Sequence, residues 1–415
     1  MKKLYLCLLL QLCAITIAQK TILDTAIIRH TYRKYRSWLS QTYGTKNNEQ
    51  MIQLRKENKF QDEVPADIPF PCNVTGGRSS EVPKSVHRLR PGDIDVIAAM
   101  GDSTTVPTAV TAVNLLQLLV ENRGISASIG GEETWRKYLT LPNILKEFNP
   151  KLIGYSLGDS VSTEPDAQFN VAETGAMSKD MPFMAQHLVE KIKSDPRIDV
   201  NKDWKLILLM IGCNDFCSNI CIAPSPWSIL KEHEIELINT LRILRDNLPR
   251  TFVALIVPPH MRAIAEHHRQ YLWPCSTMSI IECPCLFALQ FQHGKLEYYE
   301  VIRRWQELDK EIASYPEFYR DDFIVEMLPV LINSIIPLAE DGYQDMSYLA
   351  VDCFHWSQKL IANYANGIWN NLLQPTDNRT NCLDGNIFKR FLCPTSENPY
   401  LTTHKNQQEI DEACD

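Results

Sequence analysis

The sequence predicts an α/β fold, a three-layer α/β/α sandwich around a mainly parallel five-stranded sheet. Three observations predict it. Short apolar or β-branched runs recur along the chain, longer stretches of helical pattern separate them, and no internal repeat or low-complexity tract interrupts the alternation. Strands that are continuously apolar are buried on both faces, as in a parallel sheet covered by helices. The runs are "DVIAAM" (95–100), "LIGYSL" or "FNVAE" within 152–173, "KLILLMIG" (205–212), "FVALIVP" (252–258) and "DFIVEML" (322–328).

Each flanking segment has its own reading. Residues 1–18 join Lys2 and Lys3 to an apolar run from Leu4 to Cys13 and end at Ala18, the pattern of a secretory signal peptide and too short for a membrane span. Residues 19–90 form an N-terminal extension: periodic apolar positions over 20–60 predict one or two amphipathic helices, and five prolines with Gly76-Gly77 predict a loop from Val64 to Pro91. The main domain spans 91–375, its first strand beginning near Asp93, and a cysteine-containing tail covers 376–415. The domain closes on a helix whose apolar positions Leu360, Ile361, Tyr364, Ile368 and Leu372 fall at helical spacing, with Ser357 as its cap.

Composition narrows the function. With 45% apolar residues in 415 the chain can bury a large core. Its net charge is −8, or −10 once Lys2 and Lys3 are removed, and no basic cluster is present, which argues against a nucleic-acid partner. No later run is long and apolar enough to cross a bilayer, so no transmembrane anchor is expected. Eleven cysteines follow residue 18, and an oxidising compartment would pair most of them and leave one over. Cys213, Cys217 and Cys221, with Cys275, Cys283 and Cys285, offer zinc-like spacing, but disulfides are the expected use and no metal is assigned. Asn73-Val74-Thr75 and Asn378-Arg379-Thr380 are glycosylation sequons, so Asn73 and Asn378 are expected to carry glycans on an exported protein.

In open parallel sheets, sites form beyond the carboxyl ends of the strands. There the tripeptide Gly-Asp-Ser stands after the first strand, at 101–103, and it recurs at 158–160. A serine attacks an ester only with a base to take its proton, a group to orient that base and donors for the oxyanion. Ser103 follows a strand, and Pro107 is expected to open a helix through "AVTAVNLLQLLVENRG", which would aim the Ser103 N–H into the site from a helix start. Ser160 precedes a polar turn with Pro165 and reads as a loop residue, so Ser103 is the candidate nucleophile.

In order, "GDS", "NVAETGA" with Gly175, "IGCND" with Asn214 and "DCFHWS" with Asp352 and His355 resemble the blocks of the GDSL, or SGNH, hydrolases. Within that superfamily "LRPGDIDVIAAMGDS", "LPNILKEFNPKLIGYS", "FNVAETGAMSKDMP" and "ECPCL" are similar to the phospholipase B type of animals, over roughly 83–373. The resemblance implies a flavodoxin-like SGNH hydrolase domain over 91–375, with Ser103 as nucleophile, His355 as general base and Asp352 as its orienting carboxylate. It also implies an oxyanion hole made by the Ser103 and Gly175 N–H groups and the Asn214 amide, and no cofactor. Its expected substrate is a phospholipid or lysophospholipid at a lipid interface. Alternatives are a carbohydrate or simple fatty-acyl ester as substrate, or a secreted lipid-binding protein without turnover. Asp102 and Asp215 are expected to brace loops, and the nine other histidines, His260, His267 and His268 among them, to lie on solvated helices or loops. Thr104, where the family has Leu, and Cys213, where it has a small residue, depart from the pattern.

Overall fold

The computed structural model describes residues 26–45, 47–268 and 273–407. Four strands form its sheet: β1 (Ile94–Gly101), β2 (Trp204–Met210), β3 (Thr251–Ile256) and β4 (Phe323–Leu328), all parallel and in sequential order. The expected fifth strand is reduced to two single parallel bridges onto the outer edge of β1, Val96 with Ile153 and Ala99 with Asn170. Between these touches the chain turns away at Gly154, whose φ of +104° is open to glycine and which lies so close to Ile97 that a Cβ would sit 2.2 Å from its carbonyl oxygen. A ladder cannot propagate through that turn.

Side chains on alternate positions of the strands enter separate cores. Ile97, Ala99, Leu206, Leu208, Phe252 and Ile324 pack on one face against α3 (Leu141–Phe148) and α10 (Gln358–Leu373). Val96, Ala98, Ile207, Leu209, Val253 and Val325 pack on the other against α4 (Met181–Ser194), α5 (Ser228–Asn247) and α9 (Lys295–Ala313). This is the three-layer arrangement. All the α10 residues expected to be apolar contacts are buried, but Ser357 departs from its expected role: it holds the N-cap position, while its hydroxyl donates to the Ser347 carbonyl at 2.8 Å.

The N-terminal extension forms α1 (Ala26–Tyr43) and α2 (Asn48–Lys56), and then an irregular path to β1. Met51, Leu54, Phe60 and Cys72 join the same core as the sheet, as does Leu401 of the tail, and a Cys72–Cys393 disulfide ties the two ends together. Three further bridges, Cys217–Cys283, Cys221–Cys285 and Cys275–Cys353, bind the loops beyond β2, β3 and β4 and two short helices, α7 (Cys275–Glu282) and α8 (Pro284–Phe287). Cys213 and Cys382 are free thiols; Cys414 lies outside the described residues, as does the expected signal segment. Among the described residues, no helix is long and apolar enough to cross a membrane.

Candidate active site

The helix expected after Ser103 does not form. Residues 103–122 make turns and one short 3-10 segment, Leu115–Gln117. Hydrogen bonds across the segment hold it as a compact loop: Ala109 N–H donates to Val120 O, Asn122 N–H to Pro107 O, and Thr111 N–H to the side-chain Oδ1 of Asn122. Ser103 therefore sits not at a helix start but in a single tight turn, in which the N–H groups of Thr105 and Val106 both donate to Asp102 O at 3.0 Å. Gly101 makes that turn possible. Its φ is +148°, and a Cβ there would lie 2.3 Å from the Met210 carbonyl on β2.

Ser103, Asn214 and His355, which the sequence places over 250 residues of chain, line one cavity of about 600 Å³ including its open mouth. Its walls are largely apolar: Pro107, Pro259, Met261, Ile264, Phe354, Trp356 and Ile361. Thr104 and Cys213, the two departures from the family pattern, line it too. Burial pushes the Cys213 thiol well up, so it stays protonated.

His355 is fixed from behind. Its Nδ1 donates to Asp352 Oδ2 at 2.7 Å, while Asp352 Oδ1 accepts the N–H groups of Phe354 and His355, each at 3.0 Å. Asp352 is wholly buried. Burial alone would raise its pKa, but the His355 ring and the two backbone N–H groups hold the carboxyl below its ordinary range. Burial would lower the imidazole pKa; Asp352 above all, with Glu282 and Asp102, overrides it and pushes His355 up to about 9. Lys59 of the extension supports the same loop by donating to Leu349 O at 2.7 Å.

The Asn214 amide donates to Ala176 O at 2.9 Å, which anchors it to the turn that carries Gly175 and leaves its second N–H to serve the cavity. Gly175 has φ +81° with open space where a Cβ would be, so its backbone and not crowding calls for glycine. It is exposed on the turn beside Asn214 and is not part of the cavity wall proper. Beneath this turn, buried Arg123 donates to Glu121 and to the carbonyls of Ser160, Asn170 and Ala172, and Thr174 Oγ1 donates to Glu121 at 3.0 Å. This cluster was not singled out in the sequence, where isolated charges give no sign that they will meet.

The second Gly-Asp-Ser lies apart from the cavity: Ser160 is buried, and Asp159 accepts from Asn122 and from Thr45 N–H. Asp102 and Asp215 brace turns through Thr104 N–H (2.9 Å) and Ser178 N–H (3.0 Å). Burial raises Asp102 to about 6 and Asp215 to about 7. The expectation of solvated histidines fails at His87, His233 and His268, all buried. His233 stacks on Trp305 and bridges Ser178 Oγ to Asp309 Oδ1 (2.7 Å), a buried serine, histidine and aspartate in contact that pins the turn before α4 to α5 and α9. These residues have the composition of a triad but none of them lines the cavity of Ser103.

Residues 97–368 match the GDSL-like Lipase/Acylhydrolase family, so by class the chain is a carboxylic ester hydrolase. It belongs to that family. It is 38% identical over 333 residues to "Phospholipase B1, membrane-associated" of Rattus norvegicus, covering 80% of this chain and 22% of that protein. It is 34% identical over 377 residues to the Homo sapiens protein of the same name, covering 88% of this chain and 25% of that one. The chain thus spans about a quarter of the length of these relatives. Among solved structures, an acetyl xylan esterase variant from Geobacillus stearothermophilus is 13% identical with a TM-score of 0.30, covering 66% of this chain and 94% of that one. An extracellular lipase from Streptomyces rimosus is 10% identical with a TM-score of 0.28, covering 56% and 79%. Those two likenesses are too slight to inform the site.

Proposed function

We propose that this chain is a secreted serine esterase that hydrolyses acyl esters of phospholipids and lysophospholipids through an acyl-enzyme intermediate. The observation that carries the reading is the meeting of Ser103, Asn214 and the Asp352-backed His355 on one apolar-walled cavity. Ser103 Oγ attacks the ester carbonyl carbon and passes its proton to His355 Nε2, and Asp352 holds the ring in the tautomer that can accept it. The carbonyl oxygen becomes an oxyanion, received by the N–H groups of Ser103 and Gly175 and the free N–H of Asn214. As the tetrahedral species collapses, the lysolipid or glycerol oxygen leaves with the proton from His355. Water then repeats the sequence, with His355 as base, and releases the fatty acid.

The substrate class draws support from the names of the relatives and from the cavity walls. Met261, Ile264, Phe354 and Trp356 suit an acyl chain and offer a sugar few partners, which disfavours a carbohydrate ester. Secretion is supported by residues 1–18 and by four disulfides. Asn73 and Asn378, both exposed, are the glycan acceptors. The test is product analysis on defined phosphatidylcholine and lysophosphatidylcholine with wild type and Ser103→Ala, alongside labelling by a fluorophosphonate. Fatty acid release and labelling, both abolished in Ser103→Ala, are expected. Acetate release from an acetylated sugar without fatty acid release would overturn the substrate, and an unlabelled Ser103 the mechanism.

A further inference from the structure

A third acidic side chain stands at the catalytic pair, from an element to which no role has been given. Glu282 is the last residue of α7. One of its carboxylate oxygens, one of Asp352 and a ring nitrogen of His355 all lie within 4.8 Å of one another. The position is built into the covalent frame. At one end of α7, Cys275 is bonded to Cys353, the neighbour of Asp352. At the other, Cys283 and Cys285 are bonded to Cys217 and Cys221, which follow Asn214. Cys283 is fully buried and adjoins Glu282 directly, so the carboxylate is brought to the ring by a hairpin fastened to both halves of the site.

One histidine and two carboxylates could also suggest a cation seat. Asp352, however, spends both oxygens on three N–H groups, two from the backbone and one from the His355 ring. A cation would have to displace those bonds, whereas a proton-transfer role leaves them in place. The groups that face His355 are Asp352 from its own loop, Asp102 from the turn after β1 and Glu282 from α7. Lys59, from the extension, faces Asp352. Glu282 is the only one of the three carboxylates near the ring that is neither wholly buried nor bound to a neighbouring backbone N–H in the hydrogen bonds described above.

We propose that Glu282 is a positioning residue for His355, a second carboxylate that stabilises the imidazolium formed while Ser103 is acylated. The proposal rests on the esterase reading. Burial raises the Glu282 carboxyl while the neighbouring ring lowers it, which is the mutual influence such a pair requires. Asp352 sets the tautomer through Nδ1; Glu282 adds charge to the ring without competing for that hydrogen bond.

The experiment is kcat/KM and kcat against pH for wild type, Glu282→Gln, Glu282→Asp and Ser103→Ala on a soluble short-chain ester. Removing one negative charge makes the imidazole easier to deprotonate. The acid limb of Glu282→Gln is therefore expected about one pH unit lower than that of wild type, with kcat down about tenfold and KM little changed. Glu282→Asp, which withdraws the charge by one methylene, moves the limb in the same direction but less, and it serves as the test if the Gln variant does not fold. An acid limb superimposable on wild type in the folded variant overturns the proposal, because a merely structural role lowers activity without moving the limb. Ser103→Ala separates the two levels. If it keeps wild-type turnover the esterase reading falls; if it is inactive while Glu282→Gln keeps its limb, only the role of Glu282 falls.

Discussion

Asp352→Asn puts the greatest load on the arrangement at His355. The substituted amide keeps an oxygen for the N–H groups of Phe354 and His355, 3.0 Å away in the native chain, so the loop retains its backbone bonds. What changes is the side facing Nδ1, now 2.7 Å from Oδ2. An NH₂ group there donates to the ring and moves its proton to Nε2, the atom that must accept from Ser103. Raising an imidazole from 6.5 to about 9 corresponds to about 3 kcal/mol in favour of the charged ring. Most of that is lost with the carboxylate, and the wrong tautomer adds to it. The expected fall in kcat/KM is about 10³- to 10⁴-fold. The assay is hydrolysis of a soluble ester across pH, with Ser103→Ala as the zero. Wild-type activity should rise with pH toward His355's value of about 9, and in Asp352→Asn the residual activity should rise at lower pH. The sign for stability is opposite. A folded-state value raised above the unfolded one gives stability fully present below about 6.5 and lost as pH rises through about 9. Activity within tenfold of wild type at the plateau, in a variant with a native melt, would refute the proposed use of His355.

Asn214→Ala should lower kcat about 100- to 1000-fold with KM nearly unchanged, since it deletes a proposed oxyanion donor, and steady-state kinetics on the same ester decides this. An equal loss in KM would instead indicate collapse of the turn that Asn214 holds through Ala176 O. Cys72→Ser with Cys393→Ser opens a crosslink 321 residues apart in sequence, with an expected loss of about 2–5 kcal/mol in urea unfolding and activity at low temperature retained. An unchanged midpoint would mean that packing alone holds the extension and tail.

The four strands were legible because each is a short, predominantly apolar run, and buried parallel strands need little else. The fifth was not: "LIGYSL" and "FNVAE" carry strand-like composition, but Gly154 turns the first away from the sheet, and β1 receives only isolated bridges at Ile153 and Asn170 with a few backbone hydrogen bonds from Phe169, Val171 and Glu173. The segment after Ser103 misled in the other direction. Its leucines and valines have helical spacing, yet Ala109 adopts φ +63°, and Thr108, Thr111, Glu121 and Asn122 satisfy its backbone and side-chain groups across the loop. Tertiary hydrogen bonds there outweighed local propensity. That Ser103, Asn214 and His355 would meet on one cavity was legible through the order of their blocks along the chain, which resembles that of the family. Glu282 was visible only as part of "ECPCL", with no role, because its partner stands some 70 residues away and the disulfides that bring them together cannot be paired from spacing.

The three bridges around α7 close segments of only 64 to 78 residues, and all of them fall beyond the sheet's carboxyl edge. No strand contains a cysteine, and the remaining bridge among the described residues, Cys72–Cys393, ties the extension to the tail on one face of the sheet, so reduction would loosen the rim of the cavity while the strand ladder stays paired.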